Sequence, residues 1–408
     1  MAEKLDKKLL YVSGDKTVAY DKDHCYCDGE SRDAGDAWKD ASIFVKQRVS
    51  DELEKLLGNI TNVAVLTAAG TSLDNYDNSG KTRVGLWEHC KAEIEAIAEI
   101  INSRGLYEKI EKSISEMDIE GFLSYLLLYE KVNGALNNAD GVRVVDELEK
   151  KISEACNLKL DQKNTHHGMF LRKLTSRKLT FPRLELFTLN YDTLFEQAAQ
   201  NFGFTLIDGF SFSYPRKFSG RNFNYDIVCR DNSRLRKEEN FAPNVLKLFK
   251  LHGSIDWKRE GDFVYQMGSK TDKPCVVYPA SDKYESSYEQ PYFEMMSHFQ
   301  QTLRKEGTLL IVVGFGFQDK HIQNVIKEAI ATNSNFHLMV VYYKTQKTPE
   351  GTYEDTGIVS EELPEYIIKD GKTQANVTVV FSKFKDFVDM IPQNKAYDNL
   401  VSNRDEAI

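Results

Sequence analysis

Long hydrophobic runs and an excess of positive charge are both missing from this sequence. No uninterrupted apolar stretch is long enough for a membrane helix, and residues 1–8 lack the hydrophobic core of a signal peptide. The formal net charge of −9 argues against a broad nucleic-acid-binding face, since phosphate contacts need clustered Lys and Arg, although local basic patches stay compatible with it. We therefore expect a cytoplasmic protein with no membrane segment.

Cysteines are also few, and they are scattered. Of the six, only Cys25 and Cys27 lie close together, with His24 beside them, and no second pair follows at zinc-finger spacing. We interpret this pair as part of an edge strand or loop, and we expect no metal. The four isolated cysteines are interpreted as buried thiols rather than nucleophiles: Cys90, Cys156, Cys229 and Cys275.

Apolar strands alternate with helical segments along much of the chain. With 408 residues, 41% of them hydrophobic and 28% charged, the sequence is typical of a globular protein of about two or three domains. Six or seven strands of buried character are separated by helices, which predicts an α/β fold with a Rossmann-like, doubly wound parallel sheet and an inserted helical subdomain.

The predicted domains follow from where these patterns change. Residues 1–58 form an arm and a helix that ends at Gly58. The arm, residues 1–40, has a hairpin around Gly14, and we interpret it as peripheral and as an assembly contact. Residues 59–84 and 181–392 form the sheet domain. Residues 85–180 form the helical insertion, whose last loop carries His166 and His167 in a surface or capping role. Residues 393–408 are a charged tail that frays.

One strand end carries the polar residues on which the predicted site depends most. Residues 184–189 are an apolar strand, residues 193–200 are a helix, and Asn190 and Asp192 lie on the turn between them. In a parallel sheet that turn lies at the carboxyl end of the strand, where open α/β sheets bind ligands. Both residue types also favour turns and helix caps, and on its own that structural interpretation is the better one.

Three further strand ends carry suitable chemistry. The small residues at 68–72 allow backbone N–H groups to approach a diphosphate, and Gly314 and Gly316 offer a second such place, although tight turns use the same residues. Asp319 is a good N-cap for the helix after the second loop. His252 follows a strand directly and precedes Gly253, which favours a reactive position about as much as a structural one.

In chain order the four strand ends read Ala-Ala-Gly-Thr-Ser at 68–72, Thr-Leu-Asn-Tyr-Asp at 188–192, Leu-His-Gly at 251–253 and Gly-Phe-Gly-Phe-Gln-Asp at 314–319. This set resembles the sirtuin family, with its G-A-G-x-S, T-Q-N-x-D and L-H-G motifs and a final glycine-led turn, over about residues 60–345. The chain departs from protein deacylases, because Cys275 is the only cysteine between Gly253 and Thr308 and a four-cysteine zinc module is therefore missing.

Other departures point to one branch of relatives. The stretch after Ser72 does not match the acidic-arginine loop of deacylases, Ala68 replaces the first glycine, and Gly316 stands where many relatives have serine. Together with Gly-Lys-Thr at 80–82, Leu-Trp at 86–87 and the insertion, they resemble the bacterial sirtuin-like proteins of antiphage defence. Those are similar to NAD glycohydrolases, and some work beside a HerA-type ATPase.

The resemblance implies that NAD+ is the substrate and that the products are nicotinamide and ADP-ribose. Asn190 would position water or the ribose hydroxyls, and His252 would accept a proton. Asp192 would orient the ribose or offset the developing positive charge. The diphosphate would lie on Ala69, Gly70, Thr71 and Ser72, and the adenosine half would meet Gly314, Phe315 and Gly316.

Three alternatives stay open at this point. A protein deacylase would need a peptide groove, a non-catalytic sensor would bind NAD or ADP-ribose without using Asn190 together with His252, and a dehydrogenase would need an acidic residue about 20 positions after the first glycine loop. Because a toxic activity must be restrained, we also expect control by assembly, as a homo-oligomer or with a HerA-type ATPase.

Overall fold

The structure is a computed structural model, and it describes residues 8–102, 108–229, 241–276, 290–343, 345–347, 353–355 and 363–394. Its strands, in chain order, are β1 Lys8–Ser13, β2 Lys16–Tyr20, β3 His24–Cys27, β4 Glu30–Asp33, β5 Asn62–Thr67, β6 Glu185–Thr188, β7 Thr205–Ile207, β8 Arg216–Lys217, β9 Val245–Lys250, β10 Gly253–Ser254, β11 Trp257–Glu260, β12 Phe263–Gln266, β13 Cys275–Val276, β14 Thr308–Val313, β15 Phe336–Tyr342, β16 Thr345–Lys347, β17 Tyr353–Asp355 and β18 Val377–Phe381.

The described helices begin with the one after the arm. They are α1 Ala37–Asn59, α2 Ala69–Leu73, α3 Arg83–His89, α4 Lys91–Asn102, α5 Glu108–Ser115, α6 Ile119–Asn133, α7 Val144–Cys156, α8 His166–Thr175, α9 Leu194–Asn201, α10 Tyr292–Arg304, α11 Lys320–Thr332 and α12 Phe384–Met390, with short 3-10 turns at Tyr76–Asn78 and Gly220–Asn224. Among these helices, none combines the length and apolar composition needed to cross a bilayer.

A mostly parallel sheet forms the centre of the molecule. In the described part of the chain it has eleven strands, in the order β4-β3-β2-β1-β18-β15-β14-β5-β6-β9-β7. The seven strands from β18 to β7 are parallel to one another. They read as continuous apolar runs because helices cover both faces of such a sheet. The predicted α/β, doubly wound fold is confirmed.

The strand order reverses direction between β5 and β14. From β5 the chain adds β6, β9 and β7 on one side, and later adds β14, β15 and β18 on the other. In such sheets the loops on either side of the reversal separate and leave a crevice outside the carboxyl ends of the strands. The fold therefore places the loops after β5 and β14 on opposite walls of one crevice.

The amino-terminal arm is part of this sheet, so the prediction that it is peripheral is wrong. The predicted hairpin forms as β1 and β2, but β1 also pairs with β18, with Tyr11 opposite Val380. Leu10, Tyr11 and Val12 are buried in the main core. By pairing with β18, the hairpin covers an edge of the parallel part of the sheet whose backbone groups would otherwise be unpaired.

The insertion has a hydrophobic core of its own. The buried residues of this second core run from Trp87 to Ile152, on α3 to α7. By contrast, Phe170, Leu171 and Leu174 of α8 lie in the main core with the sheet. Helix α8 therefore packs with the sheet domain although it falls inside the predicted 85–180 segment. The exact domain boundaries stay a prediction, and residues 395–408 of the predicted tail lie outside the described residues.

Candidate functional site

Two glycines bring the loops after β5 and β14 into contact at the crevice. The N–H of Gly70 donates to the carbonyl of Gly314 at 3.1 Å. A Cβ on Gly70 would lie 2.5 Å from the Cα of Gly314, and Gly314 has a φ of +69°. Only glycine fits such a contact, because a methyl group on either residue would overlap the other backbone. Gly316, in contrast, has open space where a Cβ would be.

The turn after β6 grips the loop after β5. The amide nitrogen of Asn190 lies 3.0 Å from the carbonyl of Ala68, 3.1 Å from the hydroxyl of Thr71 and 2.8 Å from that of Ser72. The carboxylate of Asp192 accepts a hydrogen bond from Ser72 at 2.5 Å. The two sequence motifs that were predicted to share a site are therefore in direct contact.

Asp192 also has the structural role that its residue type predicts. Its second carboxylate oxygen accepts from the N–H of Leu194 at 3.0 Å, at the start of α9. The carboxylate is buried, and it holds the helix start with one oxygen and the hydroxyl of Ser72 with the other. The two interpretations offered by the sequence, turn chemistry and site chemistry, are thus compatible in one side chain.

His252 follows the strand next to β6. Lys250 pairs with Thr188 in register, so Asn190 and His252 each lie two residues beyond a matched pair on strands about 4.8 Å apart. The N–H groups of Leu251 and Ile255 donate to the carbonyls of Thr188 and Tyr191, at 2.9 and 3.0 Å. These bonds hold the two turns side by side, so Asn190 and His252 lie at the same level of the sheet edge.

The imidazole of His252 contacts a carboxylate from across the crevice. Its Nε2 lies 3.1 Å from Asp319, which is in the loop after β14, and the two side chains are 12% and 10% exposed. Strands β5 and β6 separate β9 from β14 in the sheet, so this contact spans their carboxyl ends. Since a carboxylate only accepts, Nε2 carries the proton and Nδ1 is the atom left to accept one when the ring is neutral.

Asp319 has a second role that the sequence reading missed. As predicted, it caps α11, accepting from the N–H groups of His321 and Ile322 at 2.8 and 3.3 Å. Burial favours a higher pKa for Asp319, but the hydrogen bond and charge of His252, together with these backbone bonds, lower the pKa. The signal available in the sequence was its place at the same sheet edge as His252.

Phe315 presents its backbone rather than its ring to the crevice. Its side chain is 5% exposed and packs on Phe317 with ring centroids 4.8 Å apart. Phe317 adopts a positive φ of 53°, and the side-chain amide of Gln323 donates to its carbonyl. The turn after β14 is thus anchored by two aromatic rings, which leaves Gly314 and Gly316 as its parts open to a ligand.

The insertion contacts the site from one side. The N–H of Gly80 donates to the carbonyl of Ser72 at 2.8 Å, so the polar loop after α2 folds back on the loop after β5. Tyr191, which lies between Asn190 and Asp192, packs against the second hydrophobic core. The loop that leads into the insertion therefore contacts Ser72, and the core of the insertion contacts Tyr191.

A surface role for the histidine pair at the start of α8 is wrong. His166 and His167 are both buried, and His167 is fully so. Nε2 of His166 lies 2.5 Å from the carbonyl of Asp74, and Nδ1 of His167 lies 2.9 Å from the amide nitrogen of Asn164. Both rings also pack against Phe384. The last loop of the insertion turns inward here because α8 must reach the main core.

The cysteines are only partly as expected. Cys25 is buried on β3, and Cys90 and Cys275 are buried, but Cys156 is half-buried and Cys229 is exposed, so the prediction of a buried thiol is wrong for Cys229. Within the described ranges, no three His, Cys, Asp or Glu side chains are grouped so that they could hold a metal ion.

The fold and these contacts define a doubly wound α/β protein with a candidate ligand crevice at the reversal of strand order. Residues 184–359 match the SIR2-like domain family, a segment that contains Asn190, Asp192, His252 and the loop after β14. This part of the chain is therefore similar to SIR2-like domains.

Two solved structures that the chain is similar to are Sir2 proteins. One, a mutant Sir2 homologue in complex with ADP-ribose, is 12% identical with a TM-score of 0.37, and the match covers 86% of this chain and 98% of that chain. Another, Sir2 bound to an acetylated peptide, is 13% identical with a TM-score of 0.36, over 83% of this chain and 95% of that chain. No curated protein matches the chain in sequence.

Proposed function

We propose that this protein hydrolyses NAD+ to nicotinamide and ADP-ribose. One observation carries the proposal: three side-by-side contacts, Gly70 with Gly314, Asn190 with Ser72 and His252 with Asp319, join all four strand-end segments around one crevice. The glycine pair suits a diphosphate that must lie close to backbone. The amide and imidazole suit a reacting ribose beside it.

The proposed chemistry assigns each side chain one task. The bond between the ribose carbon and the nicotinamide nitrogen breaks, and its electron pair neutralises the pyridinium ring. Asn190 holds the attacking water or the ribose hydroxyls with a neutral amide. His252 accepts the proton that the water loses as its oxygen bonds to the ribose carbon, with Asp319 orienting the ring. Asp192 offsets the positive charge that develops on the ribose.

We propose further that this activity serves antiphage defence in the bacterial cytoplasm, with assembly as a homo-oligomer or with a HerA-type ATPase as the control. The support is the set of departures from deacylases described above, together with the loop before the insertion, which contacts Ser72, and the insertion core, which packs against Tyr191. Such contacts give a neighbouring protein a route to the site.

The activity is tested by incubating the purified chain with NAD+ and measuring free nicotinamide. We expect His252→Ala and Asn190→Ala to lower the rate by about a hundredfold or more, which is the usual loss when a general base or a positioning group is removed. Matched controls away from the crevice are His24→Ala on β3 and Asn59→Ala at the end of α1. Release that persists unchanged in both site variants would refute the assigned roles.

The same material separates the alternatives. Binding of ADP-ribose without any release of nicotinamide, alone or in an assembled state, would indicate a sensor. Release that requires an acylated peptide would indicate a deacylase. Retained ADP-ribose binding in His252→Ala with loss of release would support the hydrolase, since the diphosphate contacts are made by other residues.

A further inference from the structure

A lysine is buried beside the candidate site. Lys250 is the last residue of β9 and lies two positions before His252. It is 2% exposed, and no other lysine is buried in the part of the chain that the structure describes. Burying an ammonium group is costly unless an opposite charge and hydrogen bonds compensate. The groups that contact Lys250 therefore show what compensates its burial.

The ammonium of Lys250 reaches the turn that follows the neighbouring strand. It donates to the backbone carbonyl of Asp192 and, at 2.8 Å, to the carboxylate of Glu196 in the first turn of α9. The same Asp192 holds Ser72 and the N–H of Leu194 with its side chain. One ammonium thus ties the turn that carries Asn190 to the strand that delivers His252.

Nearby carboxylates outnumber the single ammonium group of Lys250. Burial lowers the pKa of Lys250, but the nearby carboxylates of Glu196, Asp256 and Asp192 outweigh it and raise the pKa. Burial, with help from the charge of Asp256, raises the pKa of Glu196 to about 7 against the opposing charge of Lys250. Asp256 is 4% exposed, and one of its carboxylate oxygens forms no hydrogen bond within the described residues. The charges of three carboxylates therefore act on this ammonium, and one of these carboxylates, that of Glu196, is in direct contact with it.

We propose that Lys250 is a positioning residue of the crevice, whose ammonium, balanced by Glu196, fixes the Asn190–Asp192 turn relative to His252. The proposal rests on the proposed function for its kinetic readout only. Its structural readout, the order of the turn, is independent of any reaction. Lys250 acts through the backbone of Asp192 and touches no reacting atom.

The neighbouring strand β6 offers a control pair at the end that lies away from the turn. Glu185 is the first residue of β6, is buried, and pairs with Lys305 at 3.2 Å. Thr302 also donates to Glu185, at 2.5 Å. This pair ties β6 to the end of α10, at the edge of the sheet opposite the crevice. Lys305 is exposed and only Glu185 is buried, so removing this pair tests the loss of a lysine–glutamate pair of the same sheet without touching the turn.

The central variant removes both charges together. Lys250→Met alone would leave Glu196 without its ion-pair partner and can fail to fold, whereas replacing both partners of an ion pair by apolar residues of similar size is often tolerated. In either variant Asp192 keeps its bonds with Ser72 and with the N–H of Leu194. We therefore compare Lys250→Met/Glu196→Leu with Lys305→Met/Glu185→Leu. A third variant, Glu196→Gln, keeps an acceptor for the ammonium and its bond to Asp192.

Hydrogen exchange of the ligand-free protein and steady-state kinetics with NAD+ are the two measurements. In Lys250→Met/Glu196→Leu we expect amides within residues 189–196 to exchange about tenfold faster or more, as a turn does when its local stability falls. We expect kcat to fall about a hundredfold while KM stays within about threefold, because misplacement affects the transition state most. The control pair and Glu196→Gln should keep both properties near the wild type.

Four outcomes would contradict the positioning role of Lys250 or the proposed function. Unchanged exchange in residues 189–196 of the double variant would overturn the positioning role whatever happens to activity. A double variant with faster exchange but a wild-type kcat would also overturn it, because the order of the turn would then have no effect on the reaction. A loss in Glu196→Gln as large as in the double variant would assign the effect to Glu196 instead. A wild type that releases no nicotinamide, alone or in an assembled state, would refute the proposed function, and exchange alone would still decide this proposal.

Discussion

At the residue scale, side chains in this crevice serve two purposes at once. Asp192 caps α9 and holds Ser72, and Asp319 caps α11 and holds His252. A carboxylate has two oxygens and can accept several hydrogen bonds, so one oxygen can satisfy a helix start while the other faces the site. Residue type alone predicted the cap in both positions, and only the tertiary contacts add the second partner.

Asp319 allows the two purposes to be separated by mutation. Asn caps helices as well as Asp does, so Asp319→Asn should keep the free energy of unfolding close to the wild type while removing the charge that faces His252. We expect nicotinamide release to fall by about tenfold or more, since the tautomer of His252 is no longer fixed. Asp319→Ala should lose activity and also about 1 kcal/mol of stability, because the cap is lost.

Denaturant unfolding and nicotinamide release check this prediction together. An Asp319→Asn variant with full activity would show that the contact with His252 is only structural. Lys320→Ala, next in the chain and outside both contacts, serves as the control, and it should leave stability and release unchanged within error.

At the element scale, helix α8 shows how a polar segment can be placed inside a core. His166 and His167 begin the helix beneath the loop that follows α2, and their rings pack against Phe384 of α12. Asn164 supplies a partner for His167. The polarity of these residues predicted a loop at the surface, but the helix they begin buries Phe170 and Leu174 in the main core.

The burial of His167 predicts a pH-dependent stability. Burial, with a contribution from His166, lowers the pKa of His167 from 6.5 to about 3 in the folded protein. Between these values the unfolded chain binds a proton that the folded chain does not, so the free energy of unfolding should fall as the pH drops from 6.5 towards 3. Above pH 6.5 both states are neutral at this position, and this contribution is constant.

Urea unfolding across this pH range, compared between the wild type and His167→Gln, measures the contribution. The variant should lose part of the decline, because glutamine binds no proton and can still bond Asn164. His24→Gln on the arm is the control and should keep the slope of the wild type. Equal slopes in the wild type and His167→Gln would contradict the prediction.

At the scale of the whole molecule, the insertion and the arm are the two parts added to the parallel sheet. The insertion has its own core, against which Tyr191 packs, and the loop before it contacts Ser72 through Gly80. The arm ends in β4, whose four residues are all exposed and three of which are charged. Charged edge strands resist pairing with other strands, so an assembly contact is better expected from helices than from this edge.

A protein with the proposed NAD-cleaving activity has to be restrained in its own cell, so we expect assembly to control that activity. Nicotinamide release per subunit should differ by tenfold or more, as an order of magnitude, between the smallest and largest species separated by size, since a coupling of 1–3 kcal/mol between sites is typical. Fractionation by size followed by the release assay measures this directly. A monomer as active per subunit as any larger species would contradict the expectation.

The sequence by itself determined the strands and the places where they end. Apolar runs such as residues 308–313 can only be buried strands or helices, and their length and β-branched residues select strands. The polar and glycine-rich ends therefore marked the carboxyl edge of the sheet, including Asn190, His252 and Gly314. The hairpin of the arm was equally local, since turn residues between alternating strands specify it.

The tertiary structure alone decided which of these ends meet. That β1 pairs with β18 and that His252 reaches Asp319 depend on strand order, which joins residues far apart in the chain and leaves no periodic trace in the sequence. The same holds for Lys250 and for His167, whose burial follows from neighbours on other elements. A charged or polar residue reads as exposed until the partners that compensate its burial are known.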